Sequence, residues 1–529
     1  MAQLIRQRFC APLLLFISIS SLLSPSNAAE NCYTLNWKSC TLENFPAVGN
    51  LGLPADDISK LGTAPNLDCA DLEVPVDWNH PDGEKITLGM TRHRAGSPEK
   101  KVGSLVYNPG GPGGAGSVSA IAQALGLAPY SNATAEYYDV IGLDPRGIGM
   151  STPVKCDPEL YNKRVTLFPS NEEEFNSMVA ANKALGESCR DKTGALFFHL
   201  DTTSAAHDLE AVRQALGEDK LNWIGLSYGT MLGAAYAELY PNNVGRMVLD
   251  GNVDHSLSET SALHAESSTY EDALNQFFLW CNTIATLEEC PLKGRDLPNV
   301  FDQLVATANK SPIPALECSG NASSPCRPDV NGEDIRTNIQ GNGYLAFVPA
   351  LTGVPNSGWA TLAGALNATL AGDASGLSSS IATSETDPSY PGIAIGCLDW
   401  YHNATTFSDV MYRQQMANYI APHTRGASQT YRYQTACIGW PADVQNPNHA
   451  LDQNAMSQVP PILMVNAYHD PESSYVWAEG LRTQIPSAVL VSRNGSGHTS
   501  YSLEGEATSL IDAYLVYGAL PAENTVVNS

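Results

Sequence analysis

LNWIGLSYGTMLGAAYAEL, residues 221–239, decides the fold. A short apolar run ends in Gly225-Leu226-Ser227-Tyr228-Gly229, and a small-residue helical pattern follows. The stretch therefore reads as strand, tight turn and helix with a serine at the apex. Glycines beside the serine carry no Cβ, which lets strand and helix pass close together. The turn lifts the hydroxyl above the sheet, and helix N-terminal amides point at whatever the serine attacks. A G-x-S-x-G string alone is weak; between a strand and an Ala/Gly-rich helix it predicts a nucleophile rather than an ordinary βα turn.

Working outward, ADLEVPVDW (70–78) and EKITLGMTRHRA (84–95) alternate apolar and polar residues around Pro81-Asp82-Gly83, which predicts a β-hairpin. GSLVYNPGG (103–111) and YYDVIGLDPRGIGMS (137–151) are strands running into polar turns, and TTSAAHDLEAVRQALG (202–217) has helical spacing with a glycine stop. VGRMVLDGNVD (244–254) is the next strand. Strands separated by helices predict an α/β fold with a mostly parallel, doubly wound sheet. From 255 to 435 the pattern changes to helical stretches such as ALNQFFLWC and YLAFVPALTGV among Pro/Ser/Gly-rich loops, read as an inserted helical, disulfide-braced lid. Sheet character returns at PPILMVNAYHDP (460–471) and SAVLVSRNGSGH (487–498), and ATSLIDAYLVYG closes the fold as a helix. The expected organisation is a signal peptide (1–28), a core in two parts (29–254 and 436–529), and the lid between them (255–435).

A serine hydroxyl needs a base, and the base needs an orienting acid. On this architecture they follow the serine in the order acid, then histidine, each at the C-terminal end of a strand. His498 follows the last long strand in NGSGHTS, and Asp470 follows the strand before it in NAYHDP. Asp250, ending the strand after the serine helix, is the rival acid; its DGNVD setting equally fits a structural turn, and Asp470 is preferred. An oxyanion hole needs two donors. The Tyr228 amide supplies one, and the loop Asn108-Pro109-Gly110-Gly111-Pro112-Gly113-Gly114 supplies the other through Gly110 or Gly111. No lysine follows this loop and no dinucleotide pattern fits, so a phosphate cradle is set aside. Asp144-Pro145-Arg146 beside it is assigned no chemical role.

The 529-residue chain carries a formal charge of −26, which argues against nucleic acid and anionic membrane surfaces as partners. Arg6 and Arg8, the apolar run 11–23 and Ser26-Asn27-Ala28 read as a secretory signal, with no further span, so the expected location is extracellular. Cys10 leaves with that signal. Local spacing of the remaining cysteines pairs Cys40 with Cys69, Cys156 with Cys189, Cys281 with Cys290, Cys318 with Cys326 and Cys397 with Cys437, leaving Cys32 over. Sequons at Asn132, Asn321, Asn367, Asn403 and Asn494 fit a secreted glycoprotein. No metal-ligand cluster and no cofactor motif is present in the sequence.

NPGGPGG, YYDVIGLDPRGIGMS, GLSYGTMLGAAYAELYP with MVLDG, HDP and GHTS together resemble the α/β-hydrolase family of tripeptidyl and prolyl aminopeptidases, in order from about residue 70 to 522. The resemblance implies Ser227, Asp470 and His498 as a triad, a helical lid after Asp254, and release of short peptides or single residues from a free N-terminus. Such an enzyme must meet the substrate ammonium with a carboxylate. The lid candidates are Glu266, Glu271 and Asp272 in HAESSTYEDAL and Asp399 in GCLDWY, with Asp399 favoured. The rival classes are a carboxylesterase or lactonase using the same triad, and a binding protein on a dead hydrolase scaffold. The complete residue set argues against the last.

Overall fold

A computed structural model describes residues 33–318, 325–341, 343–346, 358–503 and 505–528. The signal segment, Cys10, Cys32, Asn321 and most of YLAFVPALTGV lie outside the described residues.

Among the described residues, nine strands form one sheet. They are β1 (Leu67–Pro75), β2 (Lys85–His93), β3 (Gly103–Asn108), β4 (Tyr138–Leu143), β5 (Leu221–Leu226), β6 (Val244–Asp250), β7 (Leu463–His469), β8 (Val489–Ser496) and β9 (Val526–Asn528). The spatial order is β1-β2-β4-β3-β5-β6-β7-β8-β9. β1 and β2 form the expected antiparallel hairpin and β2 runs antiparallel to β4; every later pairing is parallel. β9 was not expected: the polar tail donates three residues to the edge of β8, with Ser492, Arg493 and Asn494 opposite Val526, Val527 and Asn528.

Alternation along the central strands explains why they are apolar throughout. Trp223, Met247, Leu249 and Met464 enter a core on one face, with Leu209 and Leu232 from the helices there. Ile224, Val248, Leu463 and Val465 enter a second core on the opposite face, with Ile511 and Leu515. A parallel sheet covered on both sides needs both faces apolar. The covering helices include α1 (Thr202–Leu216), α2 (Tyr228–Leu239) and, after the insertion, a C-terminal helix at Glu506–Tyr517. α1 starts where the Asp201 carboxylate accepts from Ser204 N and stops at Gly217 in the left-handed region.

Between β6 and β7 lies the helical insertion, including α3 (Glu259–Thr283), α4 (Tyr390–Asp399) and α5 (Gln429–Ala436). It has its own core, in which Tyr270, Phe277, Trp280, Phe301 and Trp359 are buried together. All five spacing-derived cysteine pairs are bonded: Cys40–Cys69 and Cys156–Cys189 in the core, Cys281–Cys290, Cys318–Cys326 and Cys397–Cys437 in and beside the insertion. Asp144 and Arg146 do not pair with each other. Arg146 grips the buried Asp208 through two bonds of 2.7 Å, while Asp144 accepts from Ser117 N, Ser117 Oγ and Met150 N, tying loops under the glycine-rich segment. Among the described residues no helix is long and apolar enough to cross a membrane.

Candidate active site

Ser227 sits between β5 and α2 with φ 56° and ψ −124°, a left-handed position that a non-glycine residue adopts only when its surroundings hold it there. Ser227 N donates to Asp250 O at 2.9 Å, and Thr230 closes the first turn onto Ser227 O through its amide and hydroxyl. A Cβ on Gly225 would lie 2.2 Å from Gly229 O, so the close passage inferred from the sequence is a physical requirement.

The glycine-rich loop lies against this turn. A Cβ on Gly110 would stand 2.3 Å from Leu226 O and 2.9 Å from Ser227 Cβ. The two candidate glycines differ in one respect: Gly110 N already donates to Asn108 Oδ1 at 2.9 Å. Among the described residues, the amides of Gly111 and Tyr228 have no acceptor.

His498 and Asp470 come together from the loops after β8 and β7. His498 Nδ1 lies 2.8 Å from Asp470 Oδ1 and 3.0 Å from Oδ2. Asp470 is fully buried and also accepts from the amides of Glu472, Ser473 and Thr499 and from Ser473 Oγ. Burial alone would raise its pKa; the His498 ring and these donors outweigh burial and hold it below the ordinary value. Burial likewise disfavours charge on His498, but Asp470 and Glu472 on either side raise the imidazole to about 9. Its Nε2 is buried with no hydrogen-bond partner and lies 3.4 Å from Glu472 Oε2. Gly251, next after the strand whose carbonyl holds Ser227 N, runs beneath the ring: a Cβ there would be 3.3 Å from His498 Cε1. Serine turn and imidazole therefore flank the same two residues, Asp250 and Gly251.

Asp250 is buried but touches backbone rather than the imidazole. Its Oδ2 accepts from Ser500 N at 2.7 Å and Tyr501 N at 2.8 Å, and burial raises its pKa to about 6. It anchors the far side of the histidine loop. Arg493 anchors the near side, donating to the carbonyls of Ser496, Gly497 and Thr499 and to Ser500 Oγ.

Three of the four lid carboxylates expected to supply a pocket acid are buried against protein donors. Asp399 is fully buried and accepts from Thr202 N (2.9 Å), Thr202 Oγ1 (2.6 Å) and Asn446 Nδ2 (3.1 Å). Burial, then the nearby Asp201, raises it to about 7. Glu266 is 1% exposed and holds the start of α5 through Gln429 N and Thr430 N. Glu271 clasps the amides of His423 and Thr424. Asp272 takes His469 Nδ1 at 2.6 Å. The three acids favoured for ammonium binding are thus buried and occupied by protein donors. The acid beside the imidazole is Glu472, two residues after Asp470. It is 27% exposed at the side chain and lies 3.4 Å from His498 Nε2 through Oε2. It was not among the acids singled out from the sequence, where it stands in HDPES two residues after Asp470.

Residues 103–288 match the family model described as alpha/beta hydrolase fold, and residues 422–527 match the one described as TAP-like protein. The serine protease Hip1 of Mycobacterium tuberculosis is 31% identical over 471 residues, covering 86% of this chain and 86% of that protein. A tripeptidyl aminopeptidase of Streptomyces coelicolor is 28% identical over 479 residues, covering 87% and 82%. A protein of M. tuberculosis called carboxylesterase B is 28% identical over 479 residues, covering 88% and 86%.

Proposed function

Because this chain belongs to the α/β-hydrolase family, in its TAP-like branch, we propose that it is a secreted serine exopeptidase that releases single residues or short peptides from free N-termini through an acyl-enzyme. Two relatives are named as a serine protease and a tripeptidyl aminopeptidase, which supports the peptidase class. The observation that carries the mechanism is the Asp470–His498 pair standing over the same loop as the Ser227 turn, with two open amides beside it.

In this mechanism Ser227 Oγ attacks the scissile carbonyl while His498 Nε2 takes its proton. Asp470 keeps the tautomer with the proton on Nδ1 and stabilises the imidazolium. The oxyanion is held by Tyr228 N–H and Gly111 N–H; Gly110 shapes the loop, since its own amide is spent on Asn108. Collapse breaks the C–N bond, and His498 returns the proton to the leaving amine. Water then attacks the acyl-enzyme by the same route and frees Ser227. Glu472 receives the substrate ammonium, the role first sought among the lid acids. Secretion is supported by the five disulfides, which persist in oxidising compartments.

The experiment is a matched panel of mono-, di- and tripeptide anilides with free and acetylated amines, alongside simple esters. Free-amine anilides are expected to be cleaved and blocked ones spared. Ser227→Ala is expected to abolish fluorophosphonate labelling and lower kcat by on the order of 10⁴ to 10⁶. Equal turnover of blocked peptides or plain esters would transfer the chain to the second reading, a carboxylesterase or lactonase, which the carboxylesterase B relative keeps open.

A further inference from the structure

The chain has 55 acidic against 29 basic residues, yet not every arginine meets an acid: Arg246, Arg327, Arg336 and Arg493 are held by backbone carbonyls instead. Arg146, Arg164, Arg213 and Arg413 all pair with carboxylates. Arg432 on α5 does not. Its side chain is exposed, and its hydrogen bond among the described residues runs from Nη2 to the Tyr161 hydroxyl at 3.4 Å. Its hydrogen-bond neighbour is thus a neutral phenol and not a carboxylate.

Its position is defined by neighbours on two sides. Gln429, one turn earlier on the same helix face, donates from Nε2 to Gly111 O at 3.0 Å, and both residues are exposed. Tyr161 OH in turn donates to Ser389 O at 3.4 Å, just before α4. The backbone of Gly392 in α4 lies against Pro112 and Gly113 of the glycine-rich loop. Gly111, Gln429 and Arg432 therefore form an accessible strip leading away from the proposed oxyanion loop. The helix beneath it is fixed, because buried Glu266 holds the amides of Gln429 and Thr430. A guanidinium with free N–H groups on a rigid wall matches a carboxylate in two-pronged fashion. The surrounding acidic protein repels anions, so such a cation gives a local foothold to one that must bind.

We propose that Arg432 is a specificity-determining residue that receives a carboxylate of the peptide substrate, either the C-terminal carboxylate of a short peptide or an acidic side chain. The inference rests on the peptidase reading and names the substrate class within it: short or acidic free-amine peptides.

The test uses alanine-based peptides of three to five residues with free amines, each made as C-terminal acid and C-terminal amide, plus amidated peptides carrying Glu or Gln at each position. N-terminal product release is quantified for the wild-type chain, Arg432→Gln and Arg432→Lys, with fluorophosphonate labelling to count folded, competent sites. The wild-type chain is expected to favour the carboxylate form in kcat/KM by about tenfold or more. Arg432→Gln should bring that ratio to about one and Arg432→Lys should restore part of it. Preference for the C-terminal acid identifies the chain terminus as the ligand, and preference for Glu over Gln identifies a side chain. Cleavage of acids and amides alike by the wild-type chain, or an unchanged ratio in Arg432→Gln, overturns the assignment while the peptidase reading stands. Cleavage of esters with no peptide touched overturns both.

Discussion

At the residue scale, charge around the imidazole decides when the base is available. Asp470 on one side and Glu472 on the other raise His498 to about 9, and in the proposed mechanism a protonated ring cannot accept the Ser227 proton. A substrate ammonium at Glu472 offsets that acid and releases the ring. The acid limb of kcat/KM, which reports the free enzyme, is therefore expected at higher pH than the acid limb of kcat, which reports the complex. Glu472→Gln should move the kcat/KM limb to lower pH and raise KM for free-amine substrates, measured by steady-state kinetics between pH 5 and about 10. Coincident limbs in both proteins would remove Glu472 from the mechanism. The two buried acids also separate by assay. Asp470→Asn should lower kcat by on the order of 10⁴, because the ring loses the partner that sets its tautomer. Asp250→Asn should chiefly lower the melting temperature, because its carboxylate contacts the amides of Ser500 and Tyr501 and not the ring.

Among elements, those proposed to carry the chemistry were the ones whose places in the fold were legible. Ser227, Asp470 and His498 each follow an apolar run and stand in a turn-rich string, so strand ends and turn residues located them together. Cysteine partners were legible because the bonded pairs are neighbours along the chain, at separations of 8 to 40 residues. The lid acids misled for a physical reason: a carboxylate on a helix reads the same whether it faces solvent, a ligand or a neighbouring backbone. Only the folded chain shows Glu266 and Glu271 caught by amides of segments over 150 residues away. Glu472 was hidden by its proximity to Asp470, since orientation around a tight turn is not written in spacing. β9 was hidden because three residues in a polar tail leave no alternation to read. The histidine loop offers a test at this scale. Gly251 has φ +75°, and a Cβ there would press on Ser473 Oγ at 3.0 Å and His498 Cε1 at 3.3 Å. Gly251→Ala is expected to cost about 1–3 kcal/mol of stability through backbone strain, and to lower kcat beyond that by displacing the ring. Circular dichroism melts paired with active-site titration separate the two effects; unaltered kcat would show that the ring tolerates displacement.

For the whole molecule, buried acids set the pH dependence of stability. Burial raises Asp144 and Asp250 to about 6 and Glu266 and Asp399 to about 7, from ordinary values of 3.8 and 4.5. The folded chain thus holds protons there that the unfolded chain has already released, and stability falls as pH rises from about 4 to 7. His449 and His498, raised to about 9 from 6.5, act in the same direction at higher pH: their contribution is complete below 6.5 and is lost as pH passes through 9. Growing negative charge adds to the trend. The melting temperature is expected to be highest near pH 4 and to decline steadily to pH 9, by scanning calorimetry. A maximum at pH 8 or above would show that the lowered acids such as Asp470, Glu210 and Glu238 dominate instead.

The hydrogen bonds of Asp399 bear on how freely such a molecule can be recombined. The last residue of α4 binds Thr202 at the head of α1, and Thr202 Oγ1 lies 2.6 Å from the hydroxyl of Tyr228, the residue next to Ser227. The insertion is thereby wired into the back of the Ser227 turn and is not a detachable attachment. Exchanging it for the corresponding segment of a relative would strand Thr202 and Asn446 unless their partners came with it. Modularity in this scaffold ends at Asp399, and a chimera designer has to treat acid, threonine and tyrosine as one inherited unit.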